Sequence, residues 1–427
     1  MRVLYTLVMY LLIPVILYRL AVRGLKARAY FRRWRERFGY FPKPDFRQSI
    51  WIHAVSLGEV NAALALIKAL KSDVYPGRPF VVTTVTPTGS ERVTAVFGDD
   101  VFHVYLPYDL PAAVGRFLDR VDPALAVVME TEIWPNLFSG CRARGIPIVV
   151  ANARLSERSL KGYRPVQKLA AYSLNCSTLV GAQTETDAER LLRLGGDPER
   201  IKVIGSLKFD LDLPDDLAVV GRELRDGWGT DRFVFIAAST HEDDEGAVME
   251  AFAKMLDRDP EALLVLVPRH PERFPRAIAR CRTAGYRTAQ RSIEGSASPD
   301  TQCLVVDTMG ELMGYYAAAD LAFVGGSIAY VGGHNVLEPA ALGIPVLVGP
   351  HTFNFTEITQ LLLDQGGARL VHDGAELSTE LLTLRDDAST LEAMGRAGHA
   401  LVQENRGALR RTLAMIDEAT GERRGAG

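Results

Sequence analysis

Short apolar runs alternate with stretches of helical periodicity along almost the whole chain beyond Pro44, and this rhythm restricts the fold more than any other feature. Runs rich in Val, Ile, Leu and Ala, separated by helix-length segments, mark βαβ units, whose parallel strands are buried on both faces. Strands are expected at 49–54, 80–84, 103–106, 125–129, 147–151, 178–182 and 202–204, then at 233–237, 263–267, 303–306, 321–324, 345–348 and 369–371. The rhythm lapses around 210–216, where the acidic, Pro-containing LDLPDD stands. The 427 residues accommodate two large domains at roughly 150 residues or more each. The reading is therefore an α/β chain of two Rossmann-like, doubly wound domains, 41–212 and 233–400, joined by a linker at 213–232 and facing each other across a cleft. A last helix is expected at 401–419, within a segment 401–427 that ends in a polar tail.

The N-terminus departs from this pattern. From Val3 to Tyr18 no residue is charged, and between Arg19 and Arg37 eight basic residues face one acid, Glu36. A secretory signal carries its positive charge before the apolar run, so a cleaved signal is not expected. Sixteen residues span about 24 Å as a helix, short of the roughly 30 Å of a bilayer core, and Pro14 interrupts them. Segment 1–40 reads as a membrane anchor, spanning or monotopic, with the main body on the cytoplasmic side. Tyr30, Phe31, Trp34, Phe38, Tyr40 and Phe41 suit a belt at headgroup level. A buried core helix followed by a solvated basic helix is the alternative.

Formal charge is −3, from 49 basic and 52 acidic residues, which argues against a nucleic-acid partner. Cys141, Cys176, Cys281 and Cys303 lie far apart, without the spacing of a zinc knuckle or disulfide framework. There is no GxxxxGK[ST] loop, GxSxG elbow or HExxH, and the eight histidines are dispersed. Chemistry without metal is the simpler expectation, with His53, His103, His372 and His399 structural.

Ligands of doubly wound sheets bind at the carboxyl ends of strands, so the residues just after each strand matter most. After the first strand, Ser56-Leu57-Gly58-Glu59 opens a helix. Glu59 is either a first-turn acid that complements the helix dipole or a general base whose pKa depends on its burial. After 125–129 come Glu130 and Glu132, two acids at one strand end; one of them can instead cap the helix that Pro135 begins. Arg154, Arg158 and Lys208 follow later strands as cations for an anionic substrate, or as solvated surface charges.

In the second half, Ala238 to Glu242 and Pro268-Arg269-His270-Pro271 follow strands, and Arg269 with His270 can neutralise a phosphate. Gly325-Gly326-Ser327 offers backbone N–H groups as an anion cradle, or serves as a turn. Gly332-Gly333-His334-Asn335-Val336-Leu337-Glu338-Pro339 opens a helix and sets Glu338 where a carboxylate can accept ribose hydroxyls, or act as a capping acid.

Taken in order, WIHAVSLGE, METEIWPN, NARLSERS, GSLKFD, STHE, PRHPERF, DTMGEL, FVGGS, GGHNVLEPA and GPHTFNF resemble the Kdo transferase family, the 3-deoxy-D-manno-octulosonic acid transferases that act on lipid IV(A) in Gram-negative envelope synthesis. The resemblance implies a GT-B glycosyltransferase fold, CMP-Kdo as donor, lipid IV(A) as acceptor, inversion at the anomeric carbon, and no cofactor or metal. It implies the bacterial inner membrane as location and a final helix crossing back to the first domain. By matching motifs it makes Glu59 the catalytic base, gives Glu130 and Lys208 transition-state support, and draws the CMP site from Pro268, Arg269, Met309, Gly310, Glu311, Asn335, Val336, Leu337 and Glu338. Ala329-Tyr330-Val331 and Asp243-Asp244 depart from the pattern in minor ways. The alternatives are another GT-B enzyme using a UDP-sugar, separable by competition between CMP and UDP, and a non-catalytic envelope scaffold.

Overall fold

A computed structural model describes residues 1–26 and 28–421. The chain divides into two compact units, one formed by 1–210 together with the chain from Arg406 onward, the other by Leu211–Asn405.

The first unit is built on β1 (Ser49–His53), β2 (Phe80–Thr84), β3 (Phe102–Tyr105), β4 (Pro123–Met129), β5 (Ile148–Ala153), β6 (Leu179–Ala182) and β7 (Ile201–Val203). They form one parallel sheet in the order β3-β2-β1-β4-β5-β6-β7, which reverses direction between β1 and β4. Alternate strand residues enter opposite cores: Trp51, Val81, Ala126, Val128 and Val150 on one face, Ile50, Ile52, Val82, Val127 and Val149 on the other. Burial on both faces is why these strands read as continuous apolar runs.

The second unit carries β8 (Val234–Thr240), β9 (Leu263–Pro268), β10 (Thr288–Gln290), β11 (Cys303–Val305), β12 (Leu321–Val324), β13 (Val346–Val348) and β14 (Ala368–Leu370), parallel in the order β10-β11-β9-β8-β12-β13-β14. Its switch point lies between β8 and β12. Strand β10 was not expected: it is a three-residue edge strand in the polar stretch RTAQR, where only Ala289 is buried, so no apolar run announces it.

Two boundaries differ from expectation. The span 213–232 is not an extended linker, because helix Leu217–Trp228 fills most of it and buries Leu217, Gly221 and Trp228 within the second unit. A Cβ at Gly221 would stand 2.6 Å from the Ala317 carbonyl oxygen, so a glycine allows this helix to approach. The last helix is two: Ala388–Asn405 ends in the second unit, and Gly407, at φ +92°, starts Ala408–Thr420 in the first. Asp210 accepts the Gly407 and Leu409 N–H groups, 2.6 Å each, and caps that final helix, which packs Ala408, Met415 and Ile416 into the core with Ile204 and Leu207.

At the N-terminus, helices Arg2–Leu11 and Ile13–Lys26 meet at a bend of 51°. No single helix among the described residues is long and apolar enough to cross a membrane, whereas this bent pair passes by length and composition together. Val3, Leu4, Leu7, Leu11, Val15 and Tyr18 are exposed. Part of the basic and aromatic stretch faces inward instead. Arg37 is 4% exposed, donates to the Val85 carbonyl at 2.8 Å and lies 4.3 Å above the Tyr105 ring. Arg33 holds Glu36 and the His103 carbonyl, both at 2.7 Å, and Phe41 is a core residue rather than part of an interfacial belt.

Candidate active site

In the first unit the relevant groups follow β1 and β4, on either side of the switch point. Ser56 precedes helix Leu57–Ala69, whose first turn contains Glu59. The helix buries Val60, Ala63, Leu66 and Ile67, and this packing turns Glu59 inward, to 8% exposure. Its carboxylate accepts the Val55 N–H at 2.8 Å and the Ser56 hydroxyl at 3.2 Å. Burial pushes its pKa up, the Val55 N–H holds it down, and Glu130 and Glu132 push it up again, to about 7. Burial thus outweighs the dipole of the helix start.

Glu130 sits at the end of β4 at φ +55°, where its backbone N–H still bonds Ala151. A non-glycine residue in this region carries strain of order 1 kcal/mol and re-aims its side chain. Glu132 receives the Trp134 indole N–H at 2.9 Å, and burial raises its pKa. The helix that starts at Pro135 is capped by neither acid. Asp109, 2% exposed, accepts the Asn136 and Leu137 N–H groups at 2.9 and 2.7 Å. Glu59, Glu130 and Glu132 thus share one neighbourhood, where Glu130 and Glu132 act to raise the Glu59 pKa. Asn152, at φ +58°, uses its side-chain oxygen to take the Leu207 N–H at 3.0 Å and so fixes the turn Leu207–Phe209 that carries Lys208. Lys208 is half-buried and has no hydrogen bond or ion pair among the described residues. Arg158 is exposed, and the Arg154 backbone is held by the Thr131 hydroxyl, which accepts its N–H at 3.0 Å and donates to its carbonyl.

In the second unit, Pro268 ends β9 and Arg269 follows it, exposed and with its backbone N–H on the Thr240 carbonyl. Asn335 takes the Leu337 N–H at 3.2 Å and donates to Glu338 Oε1 at 3.1 Å. Burial raises the Glu338 pKa, while the Asn335 contact and the Arg269 charge oppose it. Val336 and Leu337 are buried, so they contribute backbone rather than side chains. Met309 is exposed and Gly310, at φ +93°, turns the chain. Glu311 is drawn into contacts with Thr308 and Arg291; burial pushes its pKa up, but these bonds bring it below the usual value.

The glycine loop corrects one expectation. Its N–H groups are not an open anion cradle, because Asp244, fully buried, already accepts those of Gly326 (2.7 Å), Ile328 (3.1 Å) and Ala329 (3.0 Å). Among the described residues no group of three or more His, Cys, Asp or Glu side chains is placed to hold a metal ion.

A family model described as 3-deoxy-D-manno-octulosonic-acid transferase (kdotransferase) matches residues 32–211. The chain is 41% identical to the 3-deoxy-D-manno-octulosonic acid transferase of Haemophilus influenzae over 97% of this chain and 98% of that protein. The chain belongs to the Kdo transferase family. The namesake enzyme of Bordetella pertussis is 36% identical, over 95% of this chain and 99% of its own. A glycosyltransferase structure from Rickettsia africae ESF-5 superposes with a TM-score of 0.52 at 13% identity, covering 88% of this chain and 100% of that one, a likeness of fold alone. The Kdo transferase is thus an enzyme of two parallel-sheet α/β units with GT-B-like structural neighbours.

Within this Kdo transferase, Glu59 and Glu130 come together in one unit, and Arg269, Asn335 and Glu338 in the other. Glu311 is engaged by Arg291 and Thr308. Sequence reasoning missed Asp109 and Asp244. Both are capping acids: the His241-x-x-Asp244 spacing was a legible cue for the second, whereas Asp109 caps a helix 27 residues away and leaves no local pattern.

Proposed function

We propose that this Kdo transferase moves Kdo from CMP-Kdo to a hydroxyl of lipid IV(A), with inversion at the anomeric carbon, Glu59 as general base and no cofactor. The observation that carries this reading is the Glu59 carboxyl group, buried in the first turn of the helix that follows β1, beside Glu130 and Glu132, with its pKa raised to about 7. The attacking hydroxyl loses its proton as the new bond forms, and a base acts best when its pKa lies near the working pH. Glu130 and Lys208 support the charge that develops. On the donor side Arg269 neutralises the phosphate of departing CMP, Asn335 and Glu338 take the ribose, and Pro268, Met309, Gly310, Glu311, Val336 and Leu337 complete the nucleotide site through shape and backbone. Lys208, Arg154 and Arg158 suit the Kdo carboxylate and the phosphates of the acceptor. The exposed apolar face of the bent N-terminal pair, with Arg19 and Arg23 in its second helix and Arg28 just after it, supports docking on an anionic lipid surface at the cytoplasmic side of the bacterial inner membrane.

Mass spectrometry of lipid IV(A) incubated with purified protein and CMP-Kdo tests the proposal. Wild type adds Kdo, CMP inhibits more strongly than UDP, and chelators leave the rate unchanged. Glu59→Ala slows transfer by about 100-fold or more. Near-normal transfer by that variant removes the base assignment, and wild-type inactivity removes the proposal.

A further inference from the structure

Two imidazoles join the loop before Asn335 to the start of helix Glu242–Arg258. His241 and His334 lie ring against ring, 5.3 Å between centroids and 5° from parallel, with their Nε2 atoms 3.1 Å apart. That contact is a hydrogen bond when one Nε2 carries a proton and the other does not. His241 is the N-cap of helix Glu242–Arg258 and forms its capping box: the ring faces the Asp244 backbone N–H, and the Asp244 carboxylate accepts the His241 N–H at 2.9 Å. The protonation compatible with this capping box leaves Nδ1 to face the N–H and puts the shared hydrogen on His241 Nε2. His334 Nε2 then accepts, which makes His334 the Nδ1–H tautomer. These tautomers are assigned from the hydrogen-bond pattern, not observed.

The His334 Nδ1–H has no hydrogen-bond partner among the described residues, and its ring is half-buried. The Arg269 guanidinium and the His270 ring are likewise without hydrogen-bond partners among them, and His270 meets His241 edge-on at 5.4 Å. Burial lowers the His334 pKa to about 4, and the charges of Arg269, His241 and His270 act in the same direction; Asp244, His270, Arg273 and Arg269 face His241. Gly326 fixes the plane of the ring. It sits at φ +68° with its N–H on Asp244, and a Cβ there would stand 2.8 Å from His334 Cδ2. Three donor side chains therefore share one neighbourhood, next to Asn335 and Glu338, and His334 Nδ1, the Arg269 guanidinium and the His270 ring have no hydrogen-bond acceptor among the described residues.

We propose that His334 is a further substrate-binding residue: its Nδ1–H, backed by His241, donates to the phosphate of the nucleotide, and Arg269 and His270 share that anion. The inference rests on the CMP-Kdo reading above. When the bond from the anomeric carbon to the phosphate oxygen breaks, its electron pair stays on that oxygen while the acceptor hydroxyl proton goes to Glu59. The phosphate gains a negative charge that a donor already in place counters. Donation by His241 into Nε2 draws electron density from the His334 ring and strengthens the Nδ1–H as a donor. His241 is thus a positioning residue.

Calorimetric binding of CMP and of cytidine to the full chain separates this role from a structural one. Wild type binds CMP more tightly than cytidine. In His334→Ala the affinity for CMP falls about 10- to 100-fold, the range for a hydrogen bond to a charged group, while that for cytidine is unchanged. His334→Asn, whose amide nitrogen stands near the Nδ1 position, recovers most of the loss, and His241→Ala loses part of the discrimination through His334. If wild type does not distinguish CMP from cytidine, the nucleotide reading itself fails. If wild type distinguishes them and His334→Ala does so equally, or loses both ligands together, the His334 role is overturned and the nucleotide reading stands.

Discussion

Replacing Glu59 by Gln tests chemistry and stability at once. The folded-state pKa of about 7 lies above the ordinary 4.5, so the folded protein binds this proton more tightly than the unfolded chain does. Such a group withholds stability once the pH exceeds 4.5, and the loss grows until the pH passes about 7. At 1.36 kcal/mol per unit, a displacement of roughly 2.5 units amounts to about 3 kcal/mol. With Glu59 only 8% exposed, screening by solvent takes little from this figure. Glu59→Gln removes the ionisation and keeps an oxygen for the Val55 N–H. The variant is expected to melt with wild type at pH 5 and several degrees above it at pH 8, since a unit of this size gains about 2–4 °C per kcal/mol. Transfer runs the other way. Glu59 is about one-tenth ionised at pH 6 and about nine-tenths at pH 8, so wild-type kcat rises through neutrality, and the variant is slow and flat across the same range. Thermal unfolding at both pH values, paired with a mass-spectrometric transfer assay, reads both effects. A melting difference that does not widen from pH 5 to pH 8 refutes the burial argument, and a wild-type rate indifferent to pH refutes the base.

Deleting residues 2–26 is expected to move the protein out of the fraction that sediments with anionic vesicles, with some loss of stability in the first unit as the Thr6–Asn136 and Tyr5–Asp109 contacts go; unchanged sedimentation contradicts the anchor. The cut has to stop before Arg33, because Arg33, Arg37 and Phe41 belong to the packing of the first unit. Asp244→Ala leaves the Gly326, Ile328 and Ala329 N–H groups without their acceptor and should lower the unfolding free energy by about 3 kcal/mol in urea titration; a change under about 1 kcal/mol would mean the loop finds water instead. Gly326→Ala sets a methyl group against His334 in a left-handed backbone and is expected to weaken CMP binding while cytidine binding persists, checked by calorimetry.

The sequence alone carried the two-unit α/β architecture, because parallel strands covered on both faces need apolar residues at every position, and such runs are legible without coordinates. It also carried the family, through motifs placed just after strands, where a few residues must stay chemically suited to a ligand. What it missed was short or distant. Strand β10 has one buried residue, and the break at Gly407 divides a stretch that is helical in period on both sides. Only the tertiary structure decided how the acids divide their work. Glu59, Asp109, Asp244 and Glu311 all sit at or near helix starts, yet Asp109 and Asp244 are spent on backbone N–H groups and Glu311 on Arg291, while Glu59 lies among other carboxylates. Spacing sets which side chains are near a helix end. Burial and the partners brought from distant segments set their charge, because desolvation and hydrogen bonding depend on the whole surrounding shell rather than on neighbours in the chain.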